Sequence, residues 1–221
     1  MKYLLSQFAS LQREALDSMG KFSWPCVSIG LLTLAAAGWT VLAWLFPFFP
    51  GDQPLFLMVQ GWRREWLNAV ALAVTTLSWA PVAVGIGLAC TAGLFLARRY
   101  RDALLVVMLL VLAGAGHALK LVVQRPRPPY PVIGTEPGSF SFPSGHAIFA
   151  IMLGGVALLL VQETAWPRWV KYLVQAIVVL LVLAVGASRV YLGVHWPSDV
   201  LGGYLFGLPV LWGLLWLRAR W

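Results

Sequence analysis

The sequence predicts an all-α protein, an integral membrane bundle of six transmembrane helices with an N-terminal amphipathic interfacial helix. Its apolar content, its number of apolar runs long enough to span a bilayer, and the different patterning of its N-terminal segment predict this class. Of 221 residues, 60% are hydrophobic and 11% are charged, and mean hydropathy is +0.80. A soluble domain carries about a quarter charged residues. The formal charge of +8 would suggest a nucleic-acid partner in a soluble chain. Here the cations flank apolar runs, which makes them topology and headgroup residues and predicts no nucleic-acid binding. Cys26 and Cys90 lie within apolar runs and have no metal-ligand spacing.

Residues 1–24 form the first unit, an amphipathic membrane-surface helix. Leu4, Phe8, Leu11, Ala15 and Met19 share one helical face, and Lys2, Arg13, Glu14 and Asp17 lie mostly elsewhere. A cleaved signal peptide fits less well, because the segment before the apolar run is long and contains acids, and the run continues past Ala37 to Phe49. Residues 25–221 form the second unit, with spans expected near 25–47, 67–97, 102–123, 144–165, 170–188 and 197–217; about 20 residues suffice for each. The second run is over-long, so it should tilt or end at the interface.

Six spans put both termini on one side. That side holds Lys2, Arg13, Lys21, Arg98, Arg99, Arg101, Arg168, Lys171, Arg218 and Arg220; the other holds Arg63, Arg64, Lys120, Arg125, Arg127 and Arg189. The positive-inside rule then places both termini in the cytoplasm, as for a bacterial inner membrane protein. On the outer side, three stretches break the apolar pattern: "KLVVQRPRP" from Lys120, "SFPSGHA" from Ser141 and "SRVYLGVHWPSD" from Ser188. Ionisable residues at membrane depth are costly and usually functional, and three such clusters at one face suggest one site.

Lys120 and the arginines suit phosphate, Lys as a point charge and Arg as a planar fork. "FPSGH" reads as a helix start with Pro143 in the first helical position, so that the free N–H groups of Ser144 and Gly145 make an anion site beside His146. His195 precedes a second helix start, Trp196-Pro197, with Asp199 in the first turn. The Asp199 carboxylate can reach back, as a capping-box acid does, and accept the His195 ring N–H, leaving the other ring nitrogen as a nucleophile. Phosphoryl transfer needs charge stabilisation, an in-line nucleophile and a leaving-group acid, and each role has a candidate. Asp52, Glu65, Glu136 and Asp199 are scattered along the sequence, so no metal cluster and no cofactor are expected. His117, three residues before Lys120 on the same helix face, reads as an interhelical histidine, with a third functional histidine as the alternative; Ser188 reads as a helix-end hydroxyl, and Arg125 as a supporting or snorkelling headgroup residue.

Lys120-x6-Arg127-Pro128, Pro143-Ser144-Gly145-His146 and Ser188-Arg189-x5-His195-x3-Asp199 together resemble the three-part signature of the type 2 phosphatidic acid phosphatase family, in order and with its internal spacings. The resemblance covers roughly residues 67–217. It implies a metal-independent membrane phosphatase acting on a lipid phosphate or diphosphate, such as undecaprenyl diphosphate, phosphatidylglycerol phosphate or phosphatidate. It further implies that His195 forms a phosphohistidine, that Asp199 orients it, and that His146 protonates the leaving oxygen. Lys120, Arg127, Ser144, Gly145 and Arg189 would hold the phosphoryl oxygens. The same intermediate would serve a lipid-linked phosphotransferase. The signature is also similar to that of the vanadium haloperoxidases, which are soluble. A lipid transporter with a decayed site fits the intact His195, His146 and Asp199 poorly.

Overall fold

A computed structural model describes the backbone of residues 2–220 and the side chains of residues 24–220. The chain forms α1 (Lys2–Leu45), α2 (Asp52–Gln60), α3 (Glu65–Thr76), α4 (Ala80–Leu96), α5 (Tyr100–Val123), α6 (Gly145–Gln162), α7 (Arg168–Tyr191) and α8 (Pro197–Arg218). Five segments are long and apolar enough to cross a membrane: Trp24–Leu45, α5, α6, α7 and α8. The helices α3 and α4, bent by 45° at a short break, count as a sixth when taken together as one span. Where six spans were expected, the described residues thus give five, or six with the bent pair counted as one. The helix of the N-terminal segment runs into the first span without interruption, with Pro25 inside it. The amphipathic face assigned to residues 1–24 rests on side chains outside the described residues.

The second span is broken where an over-long, tilted helix was expected. Pro81 lies in the first turn of α4, where its missing N–H costs nothing, and Trp79 before it is extended. The chain between the two helices thus turns at Leu77-Ser78-Trp79. A short helix, α2, also stands where a plain loop was expected. It starts at Asp52 behind Gly51, whose φ of +93° suits glycine.

α6 is the central helix and packs against α4, α5, α7 and α8. The main core lies between α5, α6 and α8, around Leu105, Leu109, Ile148, Met152 and Leu211. Glycine lets α8 lie close to α6: a Cβ at Gly203 would sit 2.7 Å from the Ser144 carbonyl oxygen and 2.8 Å from the Ala147 Cβ. Gly202-Gly203 and Gly207 serve packing within the bundle, not a face left bare for another copy. Large apolar side chains such as Leu96, Val111, Leu121 and Trp169 are exposed around the outside, as a lipid-facing perimeter requires.

Candidate active site

The three polar stretches converge at one end of the bundle, where α5 ends, α6 and α8 begin, and α7 ends. α5 stops at Val123 because Gln124 takes a left-handed conformation and prolines follow. Lys120, in the last turn, is buried, and its Nζ donates to the carbonyl oxygens of Phe140 (2.7 Å) and Ser141 (3.2 Å). Arg127 reaches the same loop: Nε donates to the Ser139 carbonyl at 2.7 Å, Nη2 to that of Phe140 at 3.1 Å, and Nη1 to that of Val194 at 2.5 Å. The loop before α6 therefore holds both cations in place by its carbonyl dipoles.

α6 begins two residues later than expected: Gly145 is its first residue, Ser144 is the N-cap, and Pro143 stands outside the helix. The amide expectation also needs a correction. The Ser144 N–H is not free; it donates to the Asp199 carbonyl at 3.0 Å and ties the start of α6 to the start of α8. The first-turn N–H groups of Gly145 and His146 have no intrahelical acceptor. The Ser144 hydroxyl is buried without a hydrogen-bond partner among the described residues. It replaces the Ser144 amide as the group available to an anion.

Arg189 is held by an interaction that sequence reasoning missed. Its Nη1 donates to the Thr75 hydroxyl at 2.7 Å, and Thr75 sits buried just before the break between α3 and α4. The Nε of Arg189 is buried with no partner among the described residues. Gly193, with φ +85°, turns the chain after α7 so that His195 comes back toward the bundle.

Pro197 opens α8 and Asp199 lies in its first turn, as expected, with the carboxylate accepting the Trp196 N–H at 2.8 Å. His195 is buried, and its Nδ1 faces the Asp199 carboxylate Oδ2 at 3.5 Å. That separation exceeds a hydrogen bond, and Nδ1 has no hydrogen-bond partner among the described residues. The reason is competition: Oδ2 also accepts the Ser141 hydroxyl and the Trp196 N–H, while Oδ1 accepts Nη1 of Arg125 at 2.6 Å. The contact becomes an ion pair only when the ring carries a proton on both nitrogens. Burial pushes the His195 imidazole down to about 3, helped by the nearby Lys120 and Arg127 and opposed by Asp199. The ring is therefore neutral at ordinary pH, the state a nucleophilic imidazole would need. Burial also lowers Arg127 from its usual value.

Lys120, Arg127, Gly145, His146, Arg189 and His195 line a single cavity of about 210 Å³. Ser78 and Trp79, at the break in the second span, form part of its wall. His117 lines it too and is exposed, with no hydrogen bond to another helix among the described residues, so the interhelical role expected for it is not observed. Ser188 behaves as expected, donating to the Val185 carbonyl at 2.6 Å.

Arg125 departs most from expectation. Its side chain is fully buried and bridges Asp199 and Asp52, so it is a supporting residue and not a snorkelling one. The expectation that Asp52 and Asp199 lie apart is corrected in the same place: α2 brings Asp52 to the site, where both carboxylates are occupied by Arg125. Among the described residues no group of three or more His, Cys, Asp or Glu is arranged to hold a metal ion.

This geometry can be set beside known proteins. The PAP2 superfamily matches residues 102–221. Phosphatidylglycerophosphatase B of Bacillus subtilis is 38% identical over 150 residues, covering 66% of this chain and 72% of that protein. The undecaprenyl-diphosphatase of Sulfolobus acidocaldarius is 34% identical over 108 residues, 47% of this chain and 48% of that one. Among solved structures, the transmembrane PAP2-type phosphatidylglycerolphosphate phosphatase of Bacillus subtilis superposes with a TM-score of 0.72 at 26% identity, over 85% of this chain and 96% of that chain. The signature, the cavity that gathers it and these matches agree: the chain belongs to the PAP2 superfamily.

Proposed function

We propose that this chain, an integral membrane lipid phosphatase of the PAP2 type, hydrolyses the phosphate or diphosphate headgroup of a membrane lipid through a phosphohistidine on His195, without a metal, at the outer face of the membrane. Undecaprenyl diphosphate, phosphatidylglycerol phosphate and phosphatidate are the candidate substrates. The observation that carries the reading is the convergence of His146, His195, Lys120, Arg127 and Arg189 on one cavity.

Lys120, Arg127 and Arg189 place three cations around the oxygens of the transferring phosphoryl group, with the Gly145 amide and the Ser144 hydroxyl at the start of α6 as neutral donors. Nε2 of His195 attacks phosphorus. The bond from phosphorus to the bridging oxygen breaks, and that oxygen takes a proton from His146. Asp199 faces the positive charge that forms on the His195 ring. Water then attacks phosphorus and gives a proton to His146, the N–P bond breaks, and inorganic phosphate leaves.

The test uses purified protein in detergent, excess chelator and a panel of these three lipids labelled at phosphorus. Release of inorganic phosphate from at least one lipid is expected, with an acid-labile label on the protein that is absent in His195→Ala. Activity that disappears in chelator and returns with magnesium would overturn the metal-free chemistry. Label passing to a second lipid instead of to water would replace hydrolysis with phosphotransfer.

A further inference from the structure

We infer that Asp52 is a positioning residue of the catalytic centre: through Arg125, it sets the net charge that Asp199 presents to His195. The inference rests on His195 acting as the nucleophile. Asp52 lies outside the segment matched by the family, residues 102–221, at the start of the short helix α2.

Asp52 is buried and accepts four hydrogen bonds: from the Phe49 N–H (2.8 Å), the Ser198 N–H (2.9 Å), the Ser198 hydroxyl (2.6 Å) and Nη2 of Arg125 (2.9 Å). All four partners are donors, which is the pattern of an ionised carboxylate. Arg125 spends its remaining donors on the Pro47 carbonyl (2.9 Å), the Ser198 hydroxyl (2.8 Å) and the Asp199 carboxylate (2.6 Å). One guanidinium therefore lies between two carboxylates, and the trio carries one net negative charge.

That surplus matters because of where it sits. Lys120 and Arg127 both disfavour positive charge on His195, yet attack on phosphorus places positive charge on that ring. An Arg125–Asp199 pair alone would be neutral and would offer the ring only a dipole. With Asp52 sharing the guanidinium, the carboxylate facing Nδ1 belongs to an anionic group, and in a buried site a unit of charge acts strongly at short range. Asp52 touches no reacting atom; it acts through Arg125, as an outer partner tunes a metal-bound histidine.

The decisive variant is Asp52→Asn, which keeps size and removes charge. In rapid-quench experiments it should form the acid-labile phosphoenzyme about 10- to 100-fold more slowly, by analogy with the loss of outer partners of metal-bound histidines. KM should stay close to wild type while kcat falls. Ser198→Ala is the control, since it removes hydrogen bonds from the same cluster and leaves its charges. It should lower thermal stability with little change in phosphoenzyme formation by the folded fraction. Equal rates in Asp52→Asn and wild type would overturn the inference, as would a loss in Ser198→Ala as large as in Asp52→Asn. Should Asp52→Asn not fold, Asp52→Glu and Asp52→Gln make the same comparison, with Glu expected faster and equality overturning the idea. Absence of the acid-labile label in wild type would instead remove the phosphohistidine reading beneath it.

Discussion

Arg125 and Arg127 lie two residues apart and do different work. Arg127 lines the cavity and is half-buried, so its fork can turn from loop carbonyls to a phosphoryl group. Arg125 is fully buried between two carboxylates. Arg127→Lys keeps charge and loses the fork, and should lower kcat and kcat/KM together with little loss of stability. Arg125→Met leaves two carboxylates buried without their cation. It should cost about 3–5 kcal/mol of stability, the scale for breaking a buried pair, read as a large drop in thermal midpoint. The reverse pattern would exchange the two roles. His195 supplies a pH test. Its folded value is about 3, below the roughly 6.5 of a free histidine, so between these values the unfolded chain binds the extra proton. The stability from keeping the ring neutral is complete above about pH 6.5 and drains away as pH falls toward 3. His195→Gln should flatten the fall of the thermal midpoint over that window relative to wild type; identical slopes would sink the assignment. The signature residues were legible because each is a costly group in an apolar chain. Asp52 and Thr75 were not: their partners, Arg125 and Arg189, are 73 and 114 residues away, and no local pattern announces a contact at that range.

At the scale of elements, the site depends on how α8 meets α6. The Ser144 N–H to Asp199 carbonyl bond links the start of α6, which carries His146, to the start of α8, which carries Asp199. Gly203 permits that approach. In Gly203→Ala the new Cβ meets a backbone oxygen at 2.7 Å and the Ala147 Cβ at 2.8 Å, neither of which can swing aside. The helices must separate, so both thermal midpoint and kcat should drop. At Gly213, on the same helix, nothing among the described residues lies within 4 Å of where a Cβ would stand. Gly213→Ala should be neutral or stabilising by up to about 1 kcal/mol, the intrinsic helix preference for Ala. If both alanines behaved alike, close approach at Gly203 would not matter. Sequence periodicity found the long helices readily, since an unbroken apolar run admits few other readings in a bilayer. It passed over the break in the second span because Ser78 and Trp79 are too few to interrupt a hydropathy window, although Pro81 marked the new start. α2 escaped because nine residues fall below the length at which a pattern stands out.

The whole molecule separates its charges into two kinds, and that separation sharpens the topology. On the site face, Lys120, Arg125 and Arg189 are buried, and Arg127 is held by loop carbonyls. Cations engaged in a site say little about which loops stay in the cytoplasm, because the rule acts on loop charges near the membrane ends. Setting those aside leaves Arg63 and Arg64 on that face, against Lys2, Arg13, Lys21, Arg98, Arg101, Arg168, Lys171 and Arg220 on the opposite side, that of the termini. At that opposite end Arg99 and Arg218 also join Asp102 and Glu163 in a closed ring of ion pairs, which ties α5, the end of α6 and the end of α8 together. The bias toward cytoplasmic termini is therefore stronger once the site residues are discounted than in the raw count. A phosphatase reporter fused after Trp221 should be inactive and a fluorescent reporter there bright, as for a cytoplasmic end. A thiol-labelling reagent that cannot cross the membrane should reach a cysteine placed at exposed Gly138 in intact cells, in a background with Cys26→Ser and Cys90→Ala. Because the two readouts sit at opposite ends of the bundle, they must disagree in any correctly inserted molecule. A periplasmic signal after Trp221 together with protection at position 138 would invert the protein and place phosphate release in the cytoplasm.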